Sequence, residues 1–142
     1  MIVYTGGTFD VFHSGHCNFL KRCKDIAGID GKVIVSLNTD EFILSYKNNL
    51  PICSYEERKS VLLSCKYVDD VIENIGGKDS KLSILLVNPD IIVVGSDWAK
   101  KDYYTQMNFT QEWLDNKNIS LAYVPYTNGI SSTKIKERMK ND

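Results

Sequence analysis

Apolar positions along the chain gather into short continuous runs, separated by stretches in which they recur every three or four residues. Ile2 to Tyr4 is a β-prone run that ends at Gly6-Gly7, and Lys32 to Leu37 is a second, nearly continuous one. Between them Phe19, Leu20, Cys23 and Ile26 mark one face of a helix running from about Gly15 to Ala27, which completes a βαβ unit. Ser54-Tyr55-Glu56-Glu57 has the S-x-x-E form of a capping box, with Val61, Leu62 and Cys65 as the apolar face of the helix it starts. Val68 to Ile72 reads as a strand, Lys81 to Val87 as a helix stopped by Asn88-Pro89, and Asp90 to Gly95 as the clearest buried strand. Phe109, Trp113 and Leu114 give a further helix its face, Ile119 to Val124 is a fifth strand, and Ser131 to Lys140 is a closing helix.

Five strands alternating with helices predict an α/β fold: a Rossmann-like, doubly wound and mostly parallel sheet with helices on both faces. In such sheets ligands bind beyond the carboxyl ends of the strands, near the point where strand order reverses. The 142 residues suit one domain, 1–142, with no repeat, low-complexity tract or linker.

Charge narrows the function. Lys and Arg number 17 against 18 Asp and Glu, and a net charge of −1 provides no field for a polyanion, so no nucleic-acid partner is expected. No apolar stretch approaches the ~18 residues of a membrane span and no leader-like segment opens the chain, so a cytoplasmic protein without a membrane partner is expected. Cys17, Cys23, Cys53 and Cys65 form no C-x-x-C pair and read as buried reduced thiols.

The first strand delivers Gly6-Gly7-Thr8-Phe9-Asp10-Val11-Phe12-His13-Ser14-Gly15-His16 directly onto a helix start. A helix N-terminus offers unpaired N–H groups and about half a positive charge, and adjacent glycines let a phosphate approach the backbone. His13 and His16, the only histidines, sit three residues apart on one side of a turn. Three readings are open: two satisfied turn histidines, a metal pair with Cys17, or two donors to NTP phosphate oxygens during phosphoryl transfer. The metal reading lacks a remote ligand, and His16 and Cys17 point about 100° apart on a helix.

Gly7-Thr8-Phe9-Asp10 followed by His13-x-Gly15-His16 resembles the signature of the HxGH nucleotidyltransferase superfamily. Further segments resemble its glycerol-3-phosphate and choline-phosphate cytidylyltransferase branch: Ser54-Tyr55-Glu56-x-Arg58-Lys59, Lys66-Tyr67-Val68-Asp69-Asp70-Val71-Ile72, Gly95-Ser96-Asp97-Trp98, and Thr127 to Lys136. The resemblance implies attack by a small alcohol's phosphate on the α-phosphate of CTP, with pyrophosphate leaving and Mg²⁺ bound with the NTP. It also implies a homodimer, and adenylyl transfer from ATP or an idle nucleotide-binding module stand as alternatives.

By the same resemblance His13, His16, Lys47, Ser131 and Ser132 are catalytic. Gly7, Thr8, Phe9, Asp10, Gly15, Gly95, Asp97, Trp98, Tyr126, Thr127, Gly129, Ile130 and Thr133 bind nucleotide, and Arg58 and Lys66 bind the acceptor. Lys47 would act from a mobile loop around Tyr46-Lys47-Asn48-Asn49. Plainer roles are Lys47 as a solvated lysine, Arg58 paired with Glu57 or a neighbouring helix, Trp98 as core filler and Ser131 as a helix cap. Lys134, Lys136, Arg138 and Lys140 read as a solvated face. The chain departs from the branch at Tyr126 and Asn128, where Arg and Glu are usual, at Lys66 in place of Arg, and in lacking the tryptophan that some relatives carry after Ile72.

Overall fold

The computed structural model describes residues 1–97 and 101–140. In chain order it contains β1 (Ile2–Gly7), α1 (Ser14–Ala27), β2 (Lys32–Leu37), α2 (Asp40–Lys47), α3 (Tyr55–Ser64) and β3 (Asp70–Glu73). There follow α4 (Lys81–Val87), β4 (Ile91–Gly95), α5 (Tyr103–Met107), α6 (Gln111–Asn116), β5 (Ser120–Val124) and α7 (Ser132–Lys140). The five strands form one sheet in the order β3-β2-β1-β4-β5, and every neighbouring pair is parallel. The fold is the Rossmann-like α/β arrangement expected from the alternation of strands and helices.

The continuous apolar runs are explained by burial on both faces. Along β4, Val93 faces one core cluster, with Val3, Val33, Val35, Leu20, Phe19 and Leu62. Ile92 and Val94 face the other, with Tyr4, Ile84, Tyr103, Phe109 and Leu114. Successive strand residues point to opposite sides, so a strand sandwiched between helix layers carries no polar alternation.

Strand order reverses between β1 and β4, where the chain leaves toward β2 and β3 on one side and β5 on the other. Gly6-Gly7 and Gly95 close the carboxyl ends of those two central strands. That crevice is the ligand position of this fold class.

Three local expectations are corrected. The third strand begins at Asp70, not Val68, because Val68 N–H closes a turn onto the Cys65 carbonyl at 3.1 Å. Lys47 does not lie in a loop: Asp40–Lys47 is a helix capped by Thr39, whose hydroxyl accepts from Phe42 N–H, and ended by Asn48 in the left-handed region. This helix buries only Ile43, so it has almost no apolar stripe to be read from sequence. Of the four thiols only Cys23 is buried; Cys17, Cys53 and Cys65 are half-buried, and all four are free.

Candidate active site

The loop from Gly7 to His13 is strained and held in place from several directions. Phe9 and Val11 have φ of 51° and 49°, a region that costs an L-residue about 1–3 kcal/mol and persists only when its surroundings enforce it. The buried Asp10 between them supplies much of that enforcement. Its carboxylate accepts from Ile52 and Cys53 N–H at 2.8 and 2.9 Å, and Lys136 Nζ lies at 3.2 Å. Burial opposes ionisation of Asp10, but the two amides and the Lys136 ammonium outweigh it and hold the carboxyl below its ordinary value. The Ser132 hydroxyl donates to the Asp10 carbonyl at 2.6 Å, which pins α7 against the loop.

Arg58 completes this frame. It is 2% exposed, and its guanidinium donates to the carbonyls of Cys53 (3.1 Å), Thr8 (2.9 Å) and Asn38 (2.9 Å) and to the Asp40 carboxylate (2.6 Å). The expected acceptor-binding fork is therefore corrected: the guanidinium is held by three of the protein's own carbonyls and by Asp40, and does not line the cleft. Lys66 is also displaced from that role, being exposed on another face with its ammonium 5.2 Å from the Tyr67 ring.

At the start of α1 the two histidines are ordered by backbone amides. Gly15 N–H donates to His13 Nδ1 at 3.0 Å, and His13 N–H donates to His16 Nδ1 at 3.2 Å, a reciprocal capping box built from histidines. With both Nδ1 atoms committed as acceptors, the neutral rings carry their proton on Nε2. The rings stack with centroids 3.9 Å apart, and Phe9 and Phe12 lie 5.3 and 5.2 Å from His16. Burial, then the neighbouring His13, push His16 down to about 4, with Asp10 opposing; burial alone lowers His13. Both are neutral donors near pH 7.

Gly15 is required by this packing and not by its φ. A Cβ there would lie 2.8 Å from His13 Cε1, 2.9 Å from His13 Nδ1 and 3.3 Å from Ile130.

These groups open onto a cleft of about 1030 Å³ at the β1/β4 crevice, large for a single small ligand. His13, His16, Gly7, Thr8, Phe9 and Gly15 line one side of it, and Lys47 reaches it from the end of α2. Gly95, Asp97 and Tyr126 line the β4 end, and Thr127, Gly129, Ile130, Ser131, Ser132 and Thr133 bring the start of α7 to face α1. Ser131 also caps α7, accepting from Lys134 N–H at 3.1 Å. Asp10 is not in the lining; it positions the loop. Trp98 lies outside the described residues.

Tyr126 takes an unexpected position. A Cβ on Gly95 would fall 2.0 Å from its Cζ and 2.2 Å from its hydroxyl oxygen, so the end of the ring rests directly on the glycine. Although half of the residue is open to solvent, its hydroxyl end is covered, and that burial followed by the Asp97 carboxylate raises the phenol to about 12.

Sequence reasoning missed Asn38, Phe42, Tyr46, Asn74, Lys78 and Gln106, all of which line the cleft. Asn38 follows β2 and Asn74 follows β3, so the rule that ligands gather at strand carboxyl ends could have found them. Phe42, Lys78 and Gln106 carried no local signal.

A parallel α/β sheet with a glycine-flanked strand-to-helix loop, paired Nε2–H donors and a second helix start across a crevice is the framework of a nucleotide-handling domain. The sequence profile of the cytidylyltransferase-like family matches residues 4–138, and the chain belongs to that family of nucleotidyltransferases. It is 37% identical over 137 residues to a glycerol-3-phosphate cytidylyltransferase of Bacillus subtilis, covering 96% of this chain and 95% of that one. It is also 33% identical over 140 residues to an FAD synthase of Korarchaeum cryptofilum, covering 96% and 90%. Among solved structures, a lipopolysaccharide core biosynthesis protein from Thermoplasma volcanium shares the fold, with a TM-score of 0.69 and 24% identity over 90% of this chain and 98% of that one.

Proposed function

We propose that the enzyme transfers CMP from CTP to the phosphate of a small alcohol phosphate, with glycerol 3-phosphate as the first acceptor to test. An acceptor oxygen forms a bond to the α-phosphorus while the α–β bridging bond breaks and pyrophosphate leaves with its electron pair. A phosphomonoester is largely dianionic at pH 7, its second pKa being about 6, so no protein base is required. The protein's task is positioning and charge stabilisation.

The observation that carries this reading is the histidine pair, with both Nδ1 atoms tied to backbone amides and both Nε2–H groups left for phosphate oxygens. The starts of α1 and α7 face each other across the same cleft and favour negative charge between them. Lys47 and Lys134 line that cleft and supply further positive charge.

Mg²⁺ enters with the NTP. Among the described residues no cluster of three ligating side chains exists and Asp97 is the sole carboxylate lining the cleft, so the triphosphate oxygens and water would be its ligands. Bound there, the ion shields the triphosphate charge.

Adenylyl transfer from ATP is the second reading. Tyr126 rests over Gly95 in the corner where the branch that the sequence resembles usually carries Arg, and FAD, the product named for one group of relatives, is an adenine dinucleotide. Pyrophosphate release with CTP and ATP against a panel of acceptors tests both: a productive CTP pair supports the first, an ATP pair the second, and silence with bound nucleotide supports an idle module. The proposed assembly is a cytoplasmic homodimer, to which Leu82, Leu85 and Leu86 of α4 offer exposed apolar surface; sedimentation checks it. No described helix is long and apolar enough to cross a membrane.

A further inference from the structure

With Arg58 and Lys66 off the cleft, other residues must read the acceptor. We propose that Lys78 fixes the charge class of the acceptor's far end, so that the enzyme takes phosphates of hydroxylated, uncharged or acidic alcohols and rejects phosphates of cationic amino alcohols. This rests on the transfer reaction proposed above.

Two ladders of contacts lead from the phosphate loop to Gly77, the neighbour of Lys78 in the chain. On one, Thr8 meets the Tyr46 hydroxyl at 3.4 Å, Tyr46 and Phe42 pack with centroids 5.0 Å apart, and Phe42 lies against Gly77, where a Cβ would stand 3.3 Å from its ring. On the other, Asn38 donates to Thr8 at 3.2 Å, and Asn74 donates to Asn38 and to the Gly77 carbonyl, each at 3.0 Å. Lys47, beside Tyr46, therefore stands at the near end of this half of the cleft, and Lys78 at the far end.

The turn that carries Lys78 is built. Gly77 has φ of 55° and no side chain, its N–H and carbonyl are both bound to Asn74, and Asp79 N–H closes onto the Gly76 carbonyl at 3.1 Å. The one acid beside Lys78, Asp79, directs its carboxylate to Lys81 N–H at 3.1 Å. Lys78 makes no hydrogen bond or ion pair among the described residues. The sole carboxylate lining the cleft among them, Asp97, lies at the β4 end, 3.7 Å from Lys101 and against the Tyr126 hydroxyl.

A bound acceptor thus finds two lysines and, among the described residues, no carboxylate around its alcohol part. An ammonium or trimethylammonium head would meet repulsion from both lysines with no carboxylate among the described residues to offset it; the Tyr46 and Phe42 rings offer only a smaller cation–π attraction, and Lys47 already lies 5.8 Å from the Tyr46 ring, whereas hydroxyls or a carboxylate would accept from the Lys78 ammonium.

The test compares kcat/KM for glycerol 3-phosphate and phosphoethanolamine in wild type, Lys78→Gln and Lys78→Glu, with thermal unfolding as the control for folding. The wild type should favour glycerol 3-phosphate, and Lys78→Glu should shrink that preference about tenfold through the acceptor KM, leaving the KM for nucleotide unchanged. Turnover with an unshifted ratio in Lys78→Glu, or a wild type that prefers phosphoethanolamine, overturns the inference and leaves the transfer reaction standing. Absence of pyrophosphate release from every pair overturns the transfer reaction instead. Calorimetric titration of the two phosphates then decides the inference, and an affinity ratio that is the same in wild type and Lys78→Glu, or no binding, overturns it.

Discussion

Replacing Arg58 by Met removes a buried cation that ties together four segments around the phosphate loop. The loss leaves the carbonyls of Thr8, Asn38 and Cys53 without their donor and breaks the 2.6 Å pair with Asp40. Asp40 is 28% exposed and can recover water, so the cost falls mainly on the carbonyls and on the void beside them. Breaking such a buried pair costs about 3–5 kcal/mol, which for a domain of this size lowers Tm by about 10–20 °C. Arg58→Lys keeps the charge but cannot span all the acceptors, and should fall between. Differential scanning calorimetry with and without CTP reads both variants. A Tm within about 3 °C of wild type, combined with a raised KM for the acceptor alone, would refute the structural role and restore the acceptor-binding role expected from sequence.

Gly15→Ala should push the His13 ring off its amide and lower kcat about 100-fold while unfolding about 1 kcal/mol more easily, as stopped-time pyrophosphate assays and urea titration would show. His16 has a folded value near 4 against an ordinary 6.5, so its contribution to stability is complete above pH 6.5 and is lost as pH falls toward 4. That loss amounts to at most about 3 kcal/mol, and it should vanish in His16→Asn when urea unfolding is compared at pH 7 and pH 5. Gly95→Ala should expel Tyr126 and return its phenol from about 12 toward the usual 10 in an absorbance titration, with Tyr126→Ala restoring the stability lost. Lys136→Ala should cost only about 0.5–1 kcal/mol, since the lysine end of its pair with Asp10 is 38% exposed.

Much of the fold was written in local pattern. Strands buried on two faces are continuous apolar runs, α1 announces itself by its stripe and α3 by its cap, although of the expected α3 face Val61 is exposed and Cys65 lies past the helix end, and the alternation of elements admits few topologies. The histidine loop was legible too, because its glycines and its spacing are local requirements of a strand turning into a helix. Lys47 and Asp97 were foreseen at the cleft, but tertiary structure decided which further charged residues face it and which turn away. Arg58 and Lys78 are both cations near turns, and nothing adjacent in sequence separates them; the carbonyls of Thr8, Asn38 and Cys53 converge on Arg58 only after β1, β2 and α3 have packed. Lys78 reaches the cleft on a turn whose Gly77 packs against Phe42, 35 positions before that glycine in the chain. Likewise Gly95 and Tyr126 are separated by a whole β4–β5 crossover, and their contact exists because those strands lie side by side. Side-chain chemistry and periodicity are properties of neighbours in sequence, whereas burial, pairing and the direction a charge faces belong to neighbours in space.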